Sequence, residues 1–313
     1  MGVAAQVRSG VRQNEFCMDA IGTQDLEERL RMHVQYLAGE LGERNSIRYA
    51  NLERARLYIE QALIQAGYVI QHDAYEVSGR TYRNVVVERQ GGKGEGEVFI
   101  VGAHYDTAPG TPGADDNASG IAVLLELAQS LRDFVPAPTI RLVAFALEEP
   151  PFYRSRLMGS RVHARRCRKR AERVVGMMSL EMVGYYSDLP GSQQYPLPFM
   201  GRFYPERGNF IALAGNFPSR KLVRQMAAWL SEAGALPVEY AAFPLVPGAG
   251  LSDNWSFWKE GYPALMITDT AFFRNPHYHL PSDVPETLDY ARMAALVAGL
   301  DRAIRTGLGL GIA

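Results

Sequence analysis

The chain has 313 residues, of which 47% are hydrophobic and 21% charged, and its formal net charge is -1. This composition is typical of a globular protein that buries a large core, and it excludes disorder as the default state. A near-neutral chain has no electrostatic basis for binding nucleic acid or an anionic membrane. We therefore expect a peptide or small amide as the partner; the sequence carries no signal for an oligomeric state.

The two cysteines, Cys17 and Cys167, are too few and too far apart for a disulfide framework or a cysteine-based zinc site. Any metal must therefore bind histidine and carboxylate side chains. Residues 1–25 contain no apolar run of signal-peptide length, and no later segment reaches about 18 uninterrupted apolar residues. We expect a cytoplasmic protein without a membrane span.

The first predicted elements are a helix and a hairpin. Apolar residues recur at helical spacing over residues 51–66, and Gly67 follows where a helix C-cap belongs. Two β-rich runs, 68–77 and 81–88, are joined by residues 78–80 in the manner of an antiparallel hairpin.

A sheet of longer strands is predicted after the glycine-rich loop at 91–96. Continuous apolar strands that alternate with helices indicate a sheet buried on both faces. The predicted fold class is therefore α/β, with a central mixed, mostly parallel sheet flanked by helices on both faces. The apolar runs are 98–103, 140–147 and 174–180, and the helical patterns between them are 117–132 and about 157–172.

The length of the chain favours one domain over residues 1–313, with residues 1–45 as an N-terminal extension. Residues 184–209 are rich in Gly, Pro, Tyr and Ser and lack periodicity, which indicates an inserted loop at the rim of the active site. A helix at 219–233, a buried strand at 263–268 and a closing helix at 285–305 complete the predicted elements.

Residues that can bind zinc lie at the predicted strand ends and in nearby loops. Ligands bind beyond the carboxyl ends of the strands in sheets of this kind. Zinc accepts imidazole nitrogen and carboxylate oxygen, and two ions that share a carboxylate need about five protein ligands. The candidates are His104, Asp116, the adjacent pair Glu148 and Glu149, Glu181 and His279.

The adjacent glutamates can divide the work of metal-assisted hydrolysis. Neighbouring side chains at a strand end point in opposite directions. One of Glu148 and Glu149 can therefore bind a metal while the other takes a proton from water.

The motifs around these residues resemble those of the M28 family of zinc peptidases, which includes bacterial aminopeptidases and glutamate carboxypeptidases. The resemblance covers residues 46–300 approximately, and it is specific because five separated motifs agree in order. It implies the zinc-dependent exopeptidase fold and peptide hydrolysis. The lack of a clear arginine motif for a substrate carboxylate favours an aminopeptidase, while a carboxypeptidase and a small-molecule amidase stay open. The motifs are His104-x-Asp106, Asp115 to Gly120 (DDNASG), Glu148-Glu149, Leu180-Glu181-Met182 and His279-x-x-x-Asp283.

The resemblance also implies a ligand set for two zinc ions. Asp116 would bridge the ions, His104 and Glu181 would complete one site, and Glu149 and His279 would complete the other.

Three further residues receive roles from the same resemblance. Glu148 would be the general base, and Asp106 would orient His104, since ligating imidazoles usually donate their free N–H to a carboxylate. The family's cis peptide would fall at Asp116-Asn117.

Three features depart from the family pattern. Glu181 stands where many members have aspartate. Residues 247–251 precede Ser252-Asp253-Asn254 where secreted aminopeptidases have a tyrosine that polarises the scissile carbonyl, so the oxyanion donor is unassigned. Residues 150–154 are longer than the usual short turn, and we expect them to shape the substrate pocket.

Two other functions remain open. A mononuclear zinc acyltransferase resembling glutaminyl cyclases would use Asp116, Glu149 and His279 with one ion. A metal-free binding protein of the same fold is the second alternative, although such members have lost ligands that this chain retains.

Three other patterns are weaker. Residues 115–120 followed by Glu126 fit much of an EF-hand loop, but a Pro- and Gly-rich segment precedes them instead of a helix. Ser252, His279 and Asp283 could suggest a serine triad, but no G-x-S-x-G elbow is present. The family spacing selects His279 over His277 as the ligand.

Overall fold

The computed structural model describes residues 24–92, 96–197, 199–242 and 248–309. Cys17, residues 1–23 of the predicted extension, residues 93–95 of the glycine-rich loop and Pro247 lie outside the described residues. Over the described ranges, no helix is long and apolar enough to cross a bilayer. The cytoplasmic location stays a prediction.

The described chain forms eight strands: β1 (Gln71–Val77), β2 (Arg80–Arg89), β3 (Glu97–His104), β4 (Thr139–Phe145), β5 (Arg173–Glu181), β6 (Ile211–Gly215), β7 (Val238–Ala241) and β8 (Ala264–Thr268). They pair into one sheet in the spatial order β1-β2-β4-β3-β5-β8-β6-β7. β4, β3, β5 and β8 run parallel in its centre. β1 and β2 form the predicted antiparallel hairpin, and β6 is antiparallel to β8. The mixed, mostly parallel sheet is thus confirmed.

Helices connect these strands, and the described ones are α1 (24–34, continuing as π-helical Gln35–Leu41), α2 (Tyr49–Gln65), α3 (Gly120–Leu131), α4 (Gly159–Lys169), α5 (Arg220–Ala233), α6 (Asn254–Trp258) and α7 (Tyr290–Gly309). Gly67 follows α2 at φ +88°, a left-handed conformation that only glycine adopts without strain.

Both faces of the sheet are covered by helices, as the apolar runs predict. Phe99 and Val101 of β3 pack into a large core that includes residues of α1, α2, α3, α5 and α7. Val98 and Ile100 point to the other face, into a smaller core that includes residues of α4 and α6. Because alternate side chains enter different cores, both sets must be apolar, which explains the uninterrupted hydrophobic run.

Several elements were not predicted from the sequence. β6 and β7 have only five and four residues, too few to display a periodic pattern. α6 is equally short. α1 lies within residues 1–45, yet Leu30 and Val34 on this helix are completely buried in the large core.

Arg44, just after the π-helical segment, ties the N-terminal region to the loop between β3 and α3. Its fully buried guanidinium donates to the backbone oxygens of Tyr105, Pro112 and Gly113 at 2.9, 2.6 and 2.8 Å. Burial lowers the pKa of Arg44 to about 10, against the raising effect of nearby carboxylates such as Asp283. The guanidinium therefore stays charged at neutral pH and fixes this loop.

Replacing Arg44 with Met should lower the free energy of unfolding by about 3 kcal/mol or more, because several buried carbonyl oxygens lose their donor. Urea denaturation followed by circular dichroism measures the change. The matched control is Arg54→Met at an exposed position of α2, which should change stability by less than about 0.5 kcal/mol. Equal stability of the two variants would contradict the role assigned to Arg44.

Candidate metal centre

The candidate ligands converge at the carboxyl edge of the parallel strands. His104 and Glu181 are the last residues of β3 and β5. Glu149 follows β4, Asp116 lies between β3 and α3, and His279 follows β8. The strand ends therefore deliver residues that are distant in sequence to one place, as expected for an α/β sheet.

Two groups of possible ligands share Asp116: His104, Asp116 and Glu181 form one group, and Asp116, Glu149 and His279 form the other. His104 Nε2 lies 3.3 Å from both Asp116 Oδ1 and Glu181 Oε2. His279 Nε2 lies 3.1 Å from Asp116 Oδ2 and 3.3 Å from Glu149 Oε1. Ligand atoms about 2.0 Å from a tetrahedral zinc ion lie about 3.3 Å from one another, so these spacings suit zinc.

Unsatisfied polar atoms support the same interpretation. His104 Nε2, Asp116 Oδ1 and Glu149 Oε1 are buried and make no hydrogen bond within the described chain. Buried polar atoms in proteins are normally hydrogen-bonded, and an exception calls for an ion, a water or strain. The converging donors therefore fit a divalent cation in each group.

The charges of the cluster perturb one another. Burial, with the charge of Asp116, raises the pKa of Glu149 to about 7. Burial also raises the pKa of Glu148 well above its ordinary range, against the positive charge of His104. For His279, burial would lower the pKa, but contacts with Asp116 and Glu149 raise it to about 10. Without a cation, this cluster retains protons that metal binding would displace.

Asp106 supports the cluster in two ways. His104 Nδ1 is 3.1 Å from the backbone oxygen of Asp106 and 3.5 Å from its carboxylate, so the carbonyl is the nearer acceptor. The carboxylate accepts the backbone N–H groups of Glu148 and Glu149 at 3.0 and 3.1 Å. The carboxylate therefore lies near His104 and also positions the glutamate pair, and its role in orienting His104 stays a prediction.

Asp283 links the loop of His279 to Asp116. Its carboxylate accepts the backbone N–H groups of Asp115 and Asp116 at 2.9 and 3.1 Å. The peptide bond between Asp116 and Asn117 is cis, which confirms the expectation from the family motif.

Asn117 joins the start of α3 to the end of β5. Its amide donates to Leu180 O at 2.8 Å and accepts from Met182 N at 3.2 Å, so both neighbours of Glu181 are held. A Cβ atom at Gly120 would lie 2.3 Å from Asn117 Oδ1 and 2.7 Å from Leu180 O. Only glycine permits this close approach.

Ser252 contacts the cluster directly, a contact that sequence reasoning missed. Its hydroxyl donates to Glu181 Oε2 at 2.6 Å. Because Asp283 binds backbone N–H groups instead of a histidine, Ser252, His279 and Asp283 do not form a serine triad. The neighbouring Asp253 is fully buried, its carboxylate oxygens make no hydrogen bond within the described chain, and burial raises its pKa to about 7. The sequence signal that could have indicated this contact was the Ser252-Asp253-Asn254 motif.

Three residues at the cluster hold a left-handed backbone without being glycine. The φ angles of Leu147, Met182 and His279 are +56°, +46° and +56°. Such conformations are uncommon and concentrate at functional sites, where the surrounding structure imposes them. His279 is a candidate ligand, Met182 follows the candidate ligand Glu181, and Leu147 precedes the Glu148-Glu149 pair.

The competing motifs do not form sites. Glu126, which would complete an EF-hand, instead contacts Arg29 Nε at 2.9 Å and His33 Nε2 at 3.2 Å. His277 Nδ1 lies 2.9 Å from Ser282 Oγ, and His277 belongs to neither group of candidate ligands.

A cavity of about 120 Å³ opens beside the cluster and includes Glu181 and Tyr278 in its wall. The predicted rim segment 184–209 contributes Tyr195, Met200 and Tyr204 to this wall. The segment contains one short 3₁₀ turn, Met200–Arg202, among its described residues and no strand. A substrate bound in the cavity would therefore lie next to the candidate ligands.

A mixed α/β sheet whose parallel strands bring histidines and carboxylates to one buried cluster defines the class of metal-binding α/β proteins. The comparison with protein families is more specific: the model of Peptidase family M28 matches residues 84–300. The chain therefore belongs to this family of metal-dependent peptidases, and zinc is the metal that the family implies.

Two curated relatives illustrate the range of similarity. "Uncharacterized protein YfbL" of Escherichia coli (strain K12) is 43% identical over 283 residues, covering 87% of this chain and 86% of that protein. "Probable leucine aminopeptidase 1" of Trichophyton verrucosum (strain HKI 0517) is 27% identical over 223 residues, covering 65% of this chain. That match spans only 53% of the Trichophyton protein.

Solved structures share the fold. The glutaminyl cyclase of Fimbriiglobus ruber superposes with a TM-score of 0.67 at 20% identity, covering 89% of this chain and 94% of the cyclase. The LapA aminopeptidase of Legionella pneumophila superposes with a TM-score of 0.67 at 18% identity, covering 98% and 78%. Both therefore confirm the architecture, which aminopeptidases and glutaminyl cyclases have in common.

Zinc binding to the metal-free protein at pH 7 should release at least one proton per chain, because the pKa of His279 is about 10 and that of Glu149 about 7 in the free cluster. These protons compete with the metal, so zinc affinity should rise with pH between 6 and 8. Calorimetry in buffers of different ionisation enthalpy counts the protons. A pH-independent affinity without proton release would contradict the cluster described above.

Proposed function

We propose that this protein is a zinc aminopeptidase that holds two ions per chain and removes N-terminal residues from peptides or small amides. The observation that carries the proposal is the pair of ligand groups that share Asp116. The relative named as a leucine aminopeptidase supports the same activity. The near-neutral charge favours a small substrate over nucleic acid or a membrane.

In this proposal His104, Asp116 and Glu181 hold one ion, and Asp116, Glu149 and His279 hold the other. When bound, the ions would supply a water of lowered pKa and polarise the substrate carbonyl.

Glu148 is the proposed general base. Its Oε1 atom is buried and makes no hydrogen bond within the described chain, so it is available to a reacting group. Asp106 accepts the Glu148 backbone N–H at 3.0 Å and thereby holds the backbone from which this side chain projects. Glu148 would take the proton of the attacking water and return it to the leaving amine. Burial raises its pKa, which makes the carboxylate a stronger proton acceptor for the first of these transfers.

A mononuclear acyltransferase of the glutaminyl-cyclase type is the second candidate. The fold similarity to the Fimbriiglobus ruber cyclase favours it, and Asp116, Glu149 and His279 alone would hold its single ion. The first ligand group argues for two ions, since His104 Nε2 has no hydrogen-bond partner within the described chain. A metal-free binding role is disfavoured because both ligand groups are complete.

Metal content and amide hydrolysis, measured together, test the proposal. Mass spectrometry of the purified protein gives the ions per chain, and a panel of aminoacyl p-nitroanilides gives the activity before and after chelation. Two zinc ions and chelator-sensitive hydrolysis would support the aminopeptidase. One ion per chain, together with cyclisation of a peptide with N-terminal glutamine, would support the cyclase instead of the aminopeptidase. If the protein contained no metal and turned over no substrate, only a binding role would remain.

Glu148→Gln should reduce kcat by roughly 10²- to 10⁴-fold with an unchanged metal content, since it removes the proton acceptor and no ligand. Glu149→Gln is the matched comparison at the next position and should lower both metal content and activity. Steady-state kinetics and metal analysis of the two variants measure these effects. Near-normal turnover by the Glu148 variant would refute its assignment.

A further inference from the structure

One row of residues crosses the sheet from the metal centre to its edge. Glu181 of β5 pairs with Thr268 of β8, Thr268 pairs with Ala212 of β6, and Ala212 pairs with Glu239 of β7. Paired residues on neighbouring strands point to the same face of a sheet. All four residues line the cavity beside the cluster, so this row forms its floor.

The row also sets the length of the cavity. Neighbouring strands lie about 4.8 Å apart, so three strand spacings place the backbones of Glu181 and Glu239 about 14 Å from each other. Glu239 is therefore at the far end of the cavity from the candidate ligands.

Most of the cavity wall is aromatic or apolar, and its polar residues besides the carboxylates and tyrosines are uncharged glutamines and threonines. Aromatic side chains surround it, including Tyr195, Tyr204 and Tyr240, and no described lysine, arginine or histidine lines it. Besides Glu181, Glu239 is the one acidic residue among the described residues of the wall.

Among the described residues, Glu239 has no ion-pair partner. Burial raises its pKa, and no positive charge opposes this shift. Tyr195 and Tyr204 lie close enough for the Glu239 charge to raise their pKa values further, although burial is the larger cause for both. A partly buried carboxylate among aromatic rings is an environment that a ligand cation would stabilise, by ion pairing and by cation–π contacts.

We infer that the cavity binds the side chain of an N-terminal lysine or arginine, with Glu239 as its counter-ion. This inference rests on the proposed aminopeptidase function and names its substrate class. An extended lysine side chain is about 6 Å long, and a hydrogen bond adds about 3 Å. Together they cover about 9 Å of the roughly 14 Å between the two backbones, and the side chains of Glu181 and Glu239, which extend from those backbones, cover the remainder. With the substrate amine held at the ligand cluster, the aliphatic stem would lie along the apolar part of the wall.

Charge decides the preference between substrates of similar shape. Leucine or norleucine also fits an apolar wall, but either would cover the Glu239 carboxylate without giving it a partner, which costs binding energy. Lysine has nearly the shape of norleucine and adds a terminal ammonium. This ammonium would form an ion pair with the Glu239 carboxylate.

The first test compares kcat/KM for the p-nitroanilides of lysine, arginine, leucine and norleucine. The native protein should prefer lysine and arginine over the apolar pair, and Glu239→Gln should lower kcat/KM for the basic substrates roughly 10- to 100-fold, mainly through KM. Norleucine and leucine should be hydrolysed equally well or better by this variant. Glu206→Gln is the matched control, because Glu206 is an exposed carboxylate of the rim segment outside the cavity wall, and it should leave all four values unchanged.

A binding measurement tests the same site without turnover. Agmatine carries an amine and a guanidinium on a short aliphatic chain, and calorimetry should show at least tenfold weaker binding to the Glu239→Gln protein than to the native protein or the Glu206→Gln control. Circular dichroism checks that each variant is folded.

The outcomes separate this inference from the proposed function. Hydrolysis of leucine without preference for basic residues, together with an unchanged Glu239→Gln profile, would overturn the inference and leave the aminopeptidase intact. Absence of hydrolysis with Glu239-dependent agmatine binding would overturn the aminopeptidase and retain a cationic site in the cavity.

Discussion

Burial of Asp116, Glu148, Glu149 and Glu181 side by side is the constraint on which the rest of this structure depends. Like charges repel strongly in a medium of low polarity, and the cost falls only if protons or cations are held among them. The imidazoles of His104 and His279 can supply at most two positive charges to these four carboxylates. The remaining negative charge and the buried ligand atoms without hydrogen bonds fit a bound cation. The raised pKa values of Glu148 and Glu149 and the zinc chemistry of the family are two consequences of one arrangement.

A set of side chains prevents this repulsion from spreading the cluster apart. Asp106, Asp283 and Asn117 each bond backbone groups on a different segment, so the ends of β3, β4, β5 and the loop of His279 are joined in pairs. Arg44 adds a buried positive charge behind them and bonds the loop between β3 and α3. Partners outside the metal site commonly orient ligands in this way, and they account for the polar groups buried around the cluster.

In the proposed function, the chemistry and the substrate selectivity belong to different parts of the fold. The candidate ligands lie at the ends of central parallel strands, which are buried on both faces and are the least free to change. The cavity is built from the rim segment and from β6 and β7 at the edge of the sheet, where side chains such as Tyr204 and Glu239 can vary without disturbing the cluster. Functional diversity on one scaffold commonly arises through such peripheral segments.

The sequence by itself determined the central sheet and the candidate ligands. Strands buried on both faces must be continuously apolar, and the motifs at their ends combine residue types with fixed local spacing, so both signals are local. The sequence did not reveal the core position of α1, the edge strands β6 and β7, or the acceptor that His104 selects on Asp106. It also gave no reason to connect Glu239 with Glu181. Tertiary packing decided these features. The alignment of Glu181, Thr268, Ala212 and Glu239, for example, depends on strand pairing between segments far apart in the chain.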